Sequence, residues 1–178
     1  MSREVTAKKI VYVALAVALL FVSGHIKVTV FSIPYTLQTL AVMLIGCIFG
    51  ERYGLLAAGI YVSMGLLGIP VFSKGGGLHY VFEPSFGYIL AFLPGVYLIG
   101  SLRKRASSNP YLLFALLFSV AVLMLLIGAM YYMIVIKGIF GAPLPSVLYS
   151  FVAIFLPADL IKAIAAALIC PRLKRYYV

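Results

Sequence analysis

Residues 110–136 pass without a single charged side chain, and so long an apolar run is read as a membrane-crossing helix. Five further apolar segments surround it, at about 10–24, 36–50, 53–69, 86–102 and 145–170, each punctuated by Gly, Pro or basic residues. The chain as a whole is 65% hydrophobic and 10% charged, against roughly 25% charged residues in soluble domains. A soluble fold of 178 residues could not hide that much apolar surface. No linker, low-complexity tract or internal repeat divides the sequence. The pattern therefore predicts an all-α membrane protein: one domain, residues 1–178, with six transmembrane helices in a lipid bilayer.

Segment lengths add a constraint. At about 1.5 Å of rise per residue, residues 36–50 span only about 22 Å of a hydrocarbon core about 30 Å thick. Residues 24–35 and 70–85 are expected to make up the difference as loops buried against protein, because unpaired backbone cannot face lipid.

Six spans put the N-terminus, the 2–3 turn, the 4–5 loop and the C-terminus on one side. That side holds Arg3, Lys8, Lys9, Arg52, Arg103, Lys104, Arg105, Arg172, Lys174 and Arg175, and the other holds Lys27, Lys74 and Lys137. Ten against three satisfies the positive-inside rule with both termini cytoplasmic. The net charge of +10 is thus a topological signal and requires no nucleic-acid partner. The run Arg103–Lys104–Arg105 can also touch anionic lipid. Lys8 and Lys9 ahead of an apolar run could open a signal peptide, but no small-x-small cleavage site closes it and the chain continues as further spans. Cys47 and Cys170 are expected near cytoplasmic helix ends as reduced packing residues.

Only four acidic residues occur in the chain, and Asp159 lies inside the apolar stretch from Leu144 to Cys170. An ionised group in hydrocarbon costs about 3 kcal/mol on insertion scales, so such residues face a bundle interior or an aqueous cavity. Lys162 follows three positions later, on the same helical face. Two readings are open: a structural ion pair, or a binding site for a polar solute. An enzyme is the weaker class. His25 and His79 have no second metal ligand near them in sequence, no nucleophile motif surrounds a serine, and no spacing links Glu83 to Asp159. Neither a metal nor a cofactor is expected.

The loop 69–85 mixes Phe72, Tyr80 and Phe82 with Gly75, Gly76 and Gly77. Consecutive glycines allow close backbone approach to a ligand, and the aromatics supply contact area. The loop reads either as a lid over a pocket reached from the Asp159 end, or as a flexible turn with aromatics at the membrane interface. Ala14 and Ala18 place small residues four apart on the first helix, a candidate contact for a neighbouring helix or ordinary packing.

Four segments carry a family resemblance: IPYTLQTLAV (Ile33 to Val42), GIPVFSKGGG (Gly68 to Gly77), EPSFGYILAF (Glu83 to Phe92) and PADLIKAIAAA (Pro157 to Ala167). In that order they resemble the motifs of BioY proteins, the biotin-binding S components of energy-coupling factor (ECF) transporters. The resemblance implies a six-helix bundle in a bacterial cell membrane, with a lid loop over a vitamin pocket. It implies capture of biotin from outside, with transport completed by an ECF transmembrane coupling protein and two ATPase subunits. Carried over residue by residue, it places Gly75, Gly76, Gly77, Tyr88, Asp159 and Lys162 at the pocket, and Ala14 and Ala18 at the docking face. One departure stands out. The family commonly reads G-P-T-G-G-Y where this chain has Glu83-Pro84-Ser85-Phe86-Gly87-Tyr88, which would alter pocket shape or selectivity.

Biotin offers ureido N–H donors, an apolar bicycle and a carboxylate on an aliphatic chain. Asp159 is expected to accept from the ureido N–H groups, a charge-assisted pairing of about 1.5–3 kcal/mol. Lys162 then either neutralises Asp159 or receives the carboxylate. Phe82 is expected to supply apolar contact. Thr36 and Gln38, at the outer end of a short helix, reach the ligand or serve that helix's first turn. The rival function is a self-sufficient carrier in which Asp159 exchanges a proton. No P-loop occurs in the chain, so ATP coupling would have to come from partner subunits.

Overall fold

The computed structural model describes residues 2–30, 33–106, 109–136, 152 and 154–176. Helix α1 runs over Ser2–His25, α2 over Gln38–Leu66, α3 over Phe86–Ala106, α4 over Pro110–Tyr131 and α5 over Leu156–Ile169. A π-helical turn, Tyr132–Ile136, continues α4, and a 3-10 helix, Cys170–Tyr176, continues α5. Strands β1 (Lys27–Val30) and β2 (Ile33–Thr36) lie between α1 and α2. Ala7–His25, Gln38–Leu66, Phe86–Ala106 and Pro110–Val135 are each long and apolar enough to cross a membrane. The protein is a mostly helical, multi-pass membrane protein.

Helix α2 is two arms rather than one rod. Gly50 has φ 72° and ψ −173°, backbone that a side chain would strain, and there the chain turns back on itself. Gln38, at the start of the first arm, donates from Nε2 to Tyr61 Oη near the end of the second, at 2.7 Å. Residues that far apart in sequence could not meet along a straight helix. Arg103 of α3 closes the turn by donating to the carbonyls of Cys47 and Ile48. The last carbonyls of a helix lack internal partners, and a guanidinium there both satisfies them and opposes the dipole.

The arms of α2 pack most heavily on α3, and α3 on α4. Val42, Ile45, Val96, Ile99, Leu113, Leu117 and Ala121 form the centre of the core. Helices α3 and α5 start at one end of the bundle. At the other lie the Gly50 turn, Arg103, Lys104 and Arg105 at the end of α3, and Arg172 beyond α5.

The all-α expectation needs one correction. Residues 27–36, expected as part of a loop, contain an antiparallel hairpin pairing Lys27 with Thr36 and Val28 with Tyr35. The segments KVTV and IPYT are rich in β-branched residues, which favour strands, and pairing satisfies backbone groups that a loop would have to satisfy otherwise. Lys27 and Val28 are exposed rather than buried against protein.

The loop 70–85 is also more anchored than its glycines suggest. Phe72 and Gly75 exchange backbone hydrogen bonds, Gly77 donates to the Gly65 carbonyl, and Leu78–Phe82 forms a 3-10 turn. Phe72 and Tyr80 are fully buried, 4.6 Å apart between ring centroids, with Tyr61 and Phe86 around Phe72.

The expected sixth helix, 145–170, is described from Leu156 onward, and its beginning lies outside the described residues. Pro157 occupies the first turn of α5, where the missing N–H costs nothing. Asp159 is therefore a first-turn residue of the described helix.

Candidate functional site

A cavity of about 180 Å³ lies where the hairpin, the loop 70–85 and the first turns of α2, α3 and α5 converge. Each element contributes chemistry that its sequence dictates. From α5 come Asp159 and Lys162, whose Nζ stands 2.8 Å from Asp159 Oδ1. The side chain of Asp159 is 2% exposed and that of Lys162 is 11% exposed. The i, i+3 spacing brings the two heads together, and the first-turn position lets the helix dipole favour the carboxylate.

From the end of β2 comes Thr36, and from the start of α2 come Gln38 and Thr39. The Gln38 amide is committed within the protein: Thr36 Oγ1 donates to Gln38 Oε1 at 3.2 Å, and Gln38 Nε2 donates to Tyr61, which in turn donates to the Val71 carbonyl at 2.8 Å. Thr36 Oγ1 also accepts from the Gln38 N–H at 3.4 Å. Thus Thr36 serves the first turn of α2, and both residues line the cavity while anchoring its wall.

Tyr88 of α3 is also on the wall. Its ring lies flat against Gly128 of α4, where a Cβ would stand 2.5 Å from Tyr88 Cε1. Phe155 stacks on Tyr35 of the hairpin at 4.6 Å and lies 5.7 Å from Tyr88. Tyr35 donates from Oη to the Ile154 carbonyl at 3.2 Å. Burial raises its pKa above the ordinary phenol value, so it stays a donor at neutral pH. Ile89, Phe92 and Leu125 complete an apolar floor. A small amphipathic molecule suits such a wall, which is aromatic and aliphatic over most of its area and adds a buried ion pair, hydroxyls, an amide and a second lysine.

Of the residues expected from sequence, Asp159, Lys162, Tyr88, Gln38 and Thr36 come together on this wall. Gly75, Gly76, Gly77 and Phe82 are not on it. Phe82 is 63% exposed. Gly75 and Gly77 take φ of 118° and 113°, and a Cβ on Gly76 would stand 2.2 Å from the Ile69 carbonyl oxygen. These glycines shape the loop, and the same loop reaches the cavity through Ser73, Lys74, Pro84 and Ser85 instead. Sequence reading missed those four and Phe155, and it also missed Thr39, Ile89, Phe92 and Leu125.

Ala14 and Ala18 lie elsewhere, in an exposed groove between α1 and the second arm of α2. Ile10, Val17 and Phe21 flank them from α1, and Leu56, Ile60 and Met64 face them from α2. Ala16, between them in sequence, points into the core.

Comparison with known proteins agrees with the fold. The chain superposes on a crystal structure of the S-component for biotin from an ECF-type ABC transporter with a TM-score of 0.82 and 28% identity, over 98% of this chain and 95% of that one. It is 31% identical over 180 residues to a probable biotin transporter BioY of Lysinibacillus sphaericus, covering 99% of this chain and 92% of the relative. It is also 31% identical over 178 residues to a biotin transporter BioY of Thermotoga maritima, covering 96% and 98%. The profile of the BioY family matches residues 1–178, and with the fold and the relatives in agreement, this chain belongs to the BioY family.

Proposed function

We propose that this protein captures biotin as the substrate-specific S component of an ECF-type importer. The observation that carries the reading is the buried Asp159–Lys162 pair on the wall of a cavity that also offers aromatic and aliphatic surface, in a chain whose fold matches an S-component for biotin. Asp159 accepts from the ureido N–H groups, the bicycle lies on Phe92, Phe155 and Tyr88, and Lys162 neutralises Asp159. The 2.8 Å contact between them supports this last role over capture of the ligand carboxylate. Gly75, Gly76 and Gly77 act indirectly, by holding the loop that closes the cavity, and Phe82 covers its outside.

Six membrane passes follow when the two arms of α2 are counted separately, with both termini cytoplasmic and the cavity opening outward. The cluster of Arg103, Lys104 and Arg105 at the end of α3 away from the cavity supports that orientation. The groove around Ala14 and Ala18 docks the coupling protein, which brings two ATPase subunits. Its apolar wall of small and aliphatic side chains fits close helix packing in lipid.

Calorimetric titration of the purified protein with biotin tests the capture reading, and saturable binding at one site per chain is the expected result. No binding would overturn it. Proteoliposomes tell an S component from a stand-alone carrier. Uptake is expected only with the coupling protein and ATPases present, and uptake by this chain alone under a proton gradient would favour the carrier.

A further inference from the structure

Two ammonium groups line the cavity, and they are held differently. Lys162 is buried against a buried carboxylate. Lys74, in the loop between α2 and α3, has its Nζ 2.8 Å from Glu83 Oε2, with side chains 45% and 33% exposed. Removing one partner of a buried pair strands a charge and is costly. An exposed pair contributes little, so another carboxylate can replace its anion cheaply.

Resting on the biotin reading above, we propose that Lys74 receives the ligand's carboxylate and that Glu83 occupies that position until the ligand displaces it. The site is thus an exchange of one carboxylate for another at the cavity mouth. A molecule with a hydrogen-bonding ring at one end and a carboxylate at the other needs an anionic acceptor and a cation apart from each other. Asp159 supplies the first, and its own lysine is already spent on it. Among the described residues, Lys27 is another cation nearby. It donates to the Ser73 carbonyl at 2.5 Å and is not on the cavity wall.

The backbone around Lys74 is fixed, whereas its side chain is nearly half exposed. Besides the Lys27 contact, the Ser73 hydroxyl lies 3.3 Å from Tyr80 Oη, which lies 3.3 Å from Ser85 Oγ. Glu83 donates its N–H to the Tyr80 carbonyl at 2.9 Å. Both ends of the ion pair therefore swing from anchored positions, and exchanging partners requires only side-chain rotation. The sequence departure at Glu83 acquires a role: it screens the mouth against anions too weak to displace it from Lys74.

The test compares biotin with biotinamide, its uncharged analogue of equal length, by titration of the full chain in nanodiscs. Wild type is expected to prefer biotin by about tenfold or more. Lys74→Met keeps the length and removes the charge; it is expected to lower biotin affinity about tenfold and leave biotinamide within about twofold. Glu83→Gln is expected to tighten biotin severalfold without changing biotinamide. An unchanged preference for biotin in Lys74→Met overturns the proposal, and so does an equal loss of both ligands, which marks Lys74 as a support of the rim. Failure of wild type to bind either compound overturns the vitamin reading itself, a result distinct from a lost preference.

Discussion

The first arm of α2 presents Gln38 and Thr39 to the cavity, whereas the second arm faces the groove with Leu56, Ile60 and Met64. The cavity wall mixes hydroxyls, an amide and ion pairs, and Thr36, Gln38, Ser73, Lys74, Ser85, Asp159 and Lys162 all have partners within the protein. Along the groove, only Lys9 and Tyr53 bring polar groups among the described residues. In lipid, the hydrophobic effect supplies little force between helices, and close van der Waals packing decides who binds. A polar solute must instead exchange its water for groups already in place. On the proposed reading, one helical hairpin serves two recognition tasks by two kinds of force, and a change at one face should spare the other.

The sharpest break of that comparison is at the groove. Tryptophan at both Ala14 and Ala18 should abolish biotin uptake in proteoliposomes with the coupling protein and ATPases, while calorimetric affinity of the isolated chain stays at the wild-type value. If binding is lost along with uptake, the two faces are not independent.

At the cavity, Asp159→Asn keeps volume and removes the anionic acceptor. Biotin affinity should fall at least tenfold, about 1.4 kcal/mol, measured by titration of protein whose melting temperature is recorded in parallel. Wild-type affinity with a lowered melting temperature would return Asp159 and Lys162 to a structural role.

A smaller effect is expected from Gly76→Val. The new side chain would press on the Ile69 carbonyl, 2.2 Å from the Cβ position, and shift the loop that carries Ser73 and Lys74. Affinity should weaken by roughly fivefold, about 1 kcal/mol, with docking-dependent uptake falling only in proportion; wild-type affinity would detach the loop from the cavity.

The smallest expected signal is in hydrogen exchange. Adding biotin should slow exchange at residues 73–77 more than at residues 103–106, while Val71 and Phe72 change little because Phe72 is already locked in the core. Equal exchange with and without biotin would show that the loop does not respond to occupancy.

How much of this was legible in the sequence depended on the range of the forces involved. Asp159 and Lys162 could be paired on paper because a helix repeats every 3.6 residues, and Thr36 and Gln38 stood out as polar groups ending an apolar run. Gly50 before Glu51 and Arg52 read as punctuation between two segments, although not that one residue alone makes the turn. Lys74 and Ser73 were invisible as wall residues, since their position depends on Phe72 and Tyr80 plunging into the core, a tertiary fact. Phe155 was hidden by reading 145–170 as one helix; Pro157 was the available signal for a helix start. Gly75, Gly76, Gly77 and Phe82 were over-read, because composition reports that a backbone can approach a ligand and not which way it faces. The hairpin was overlooked although Lys27–Val30 alternates like a strand, since four-residue strands carry little pattern.

Gly50 also sets how the two faces can move relative to each other. Helical hydrogen bonds stiffen the chain on both sides of it, so a change in the angle between the arms must be taken up at this one joint. The first arm leads to the cavity and the second to the groove, which makes the hairpin a pair of levers on a single pivot. Arg103 grips the last carbonyls before that pivot, and it belongs to α3, whose opening turn carries Tyr88 on the cavity wall. The cavity wall and the fulcrum thus share one helix, with Pro94 between Tyr88 and Arg103 as the place where that helix can bend.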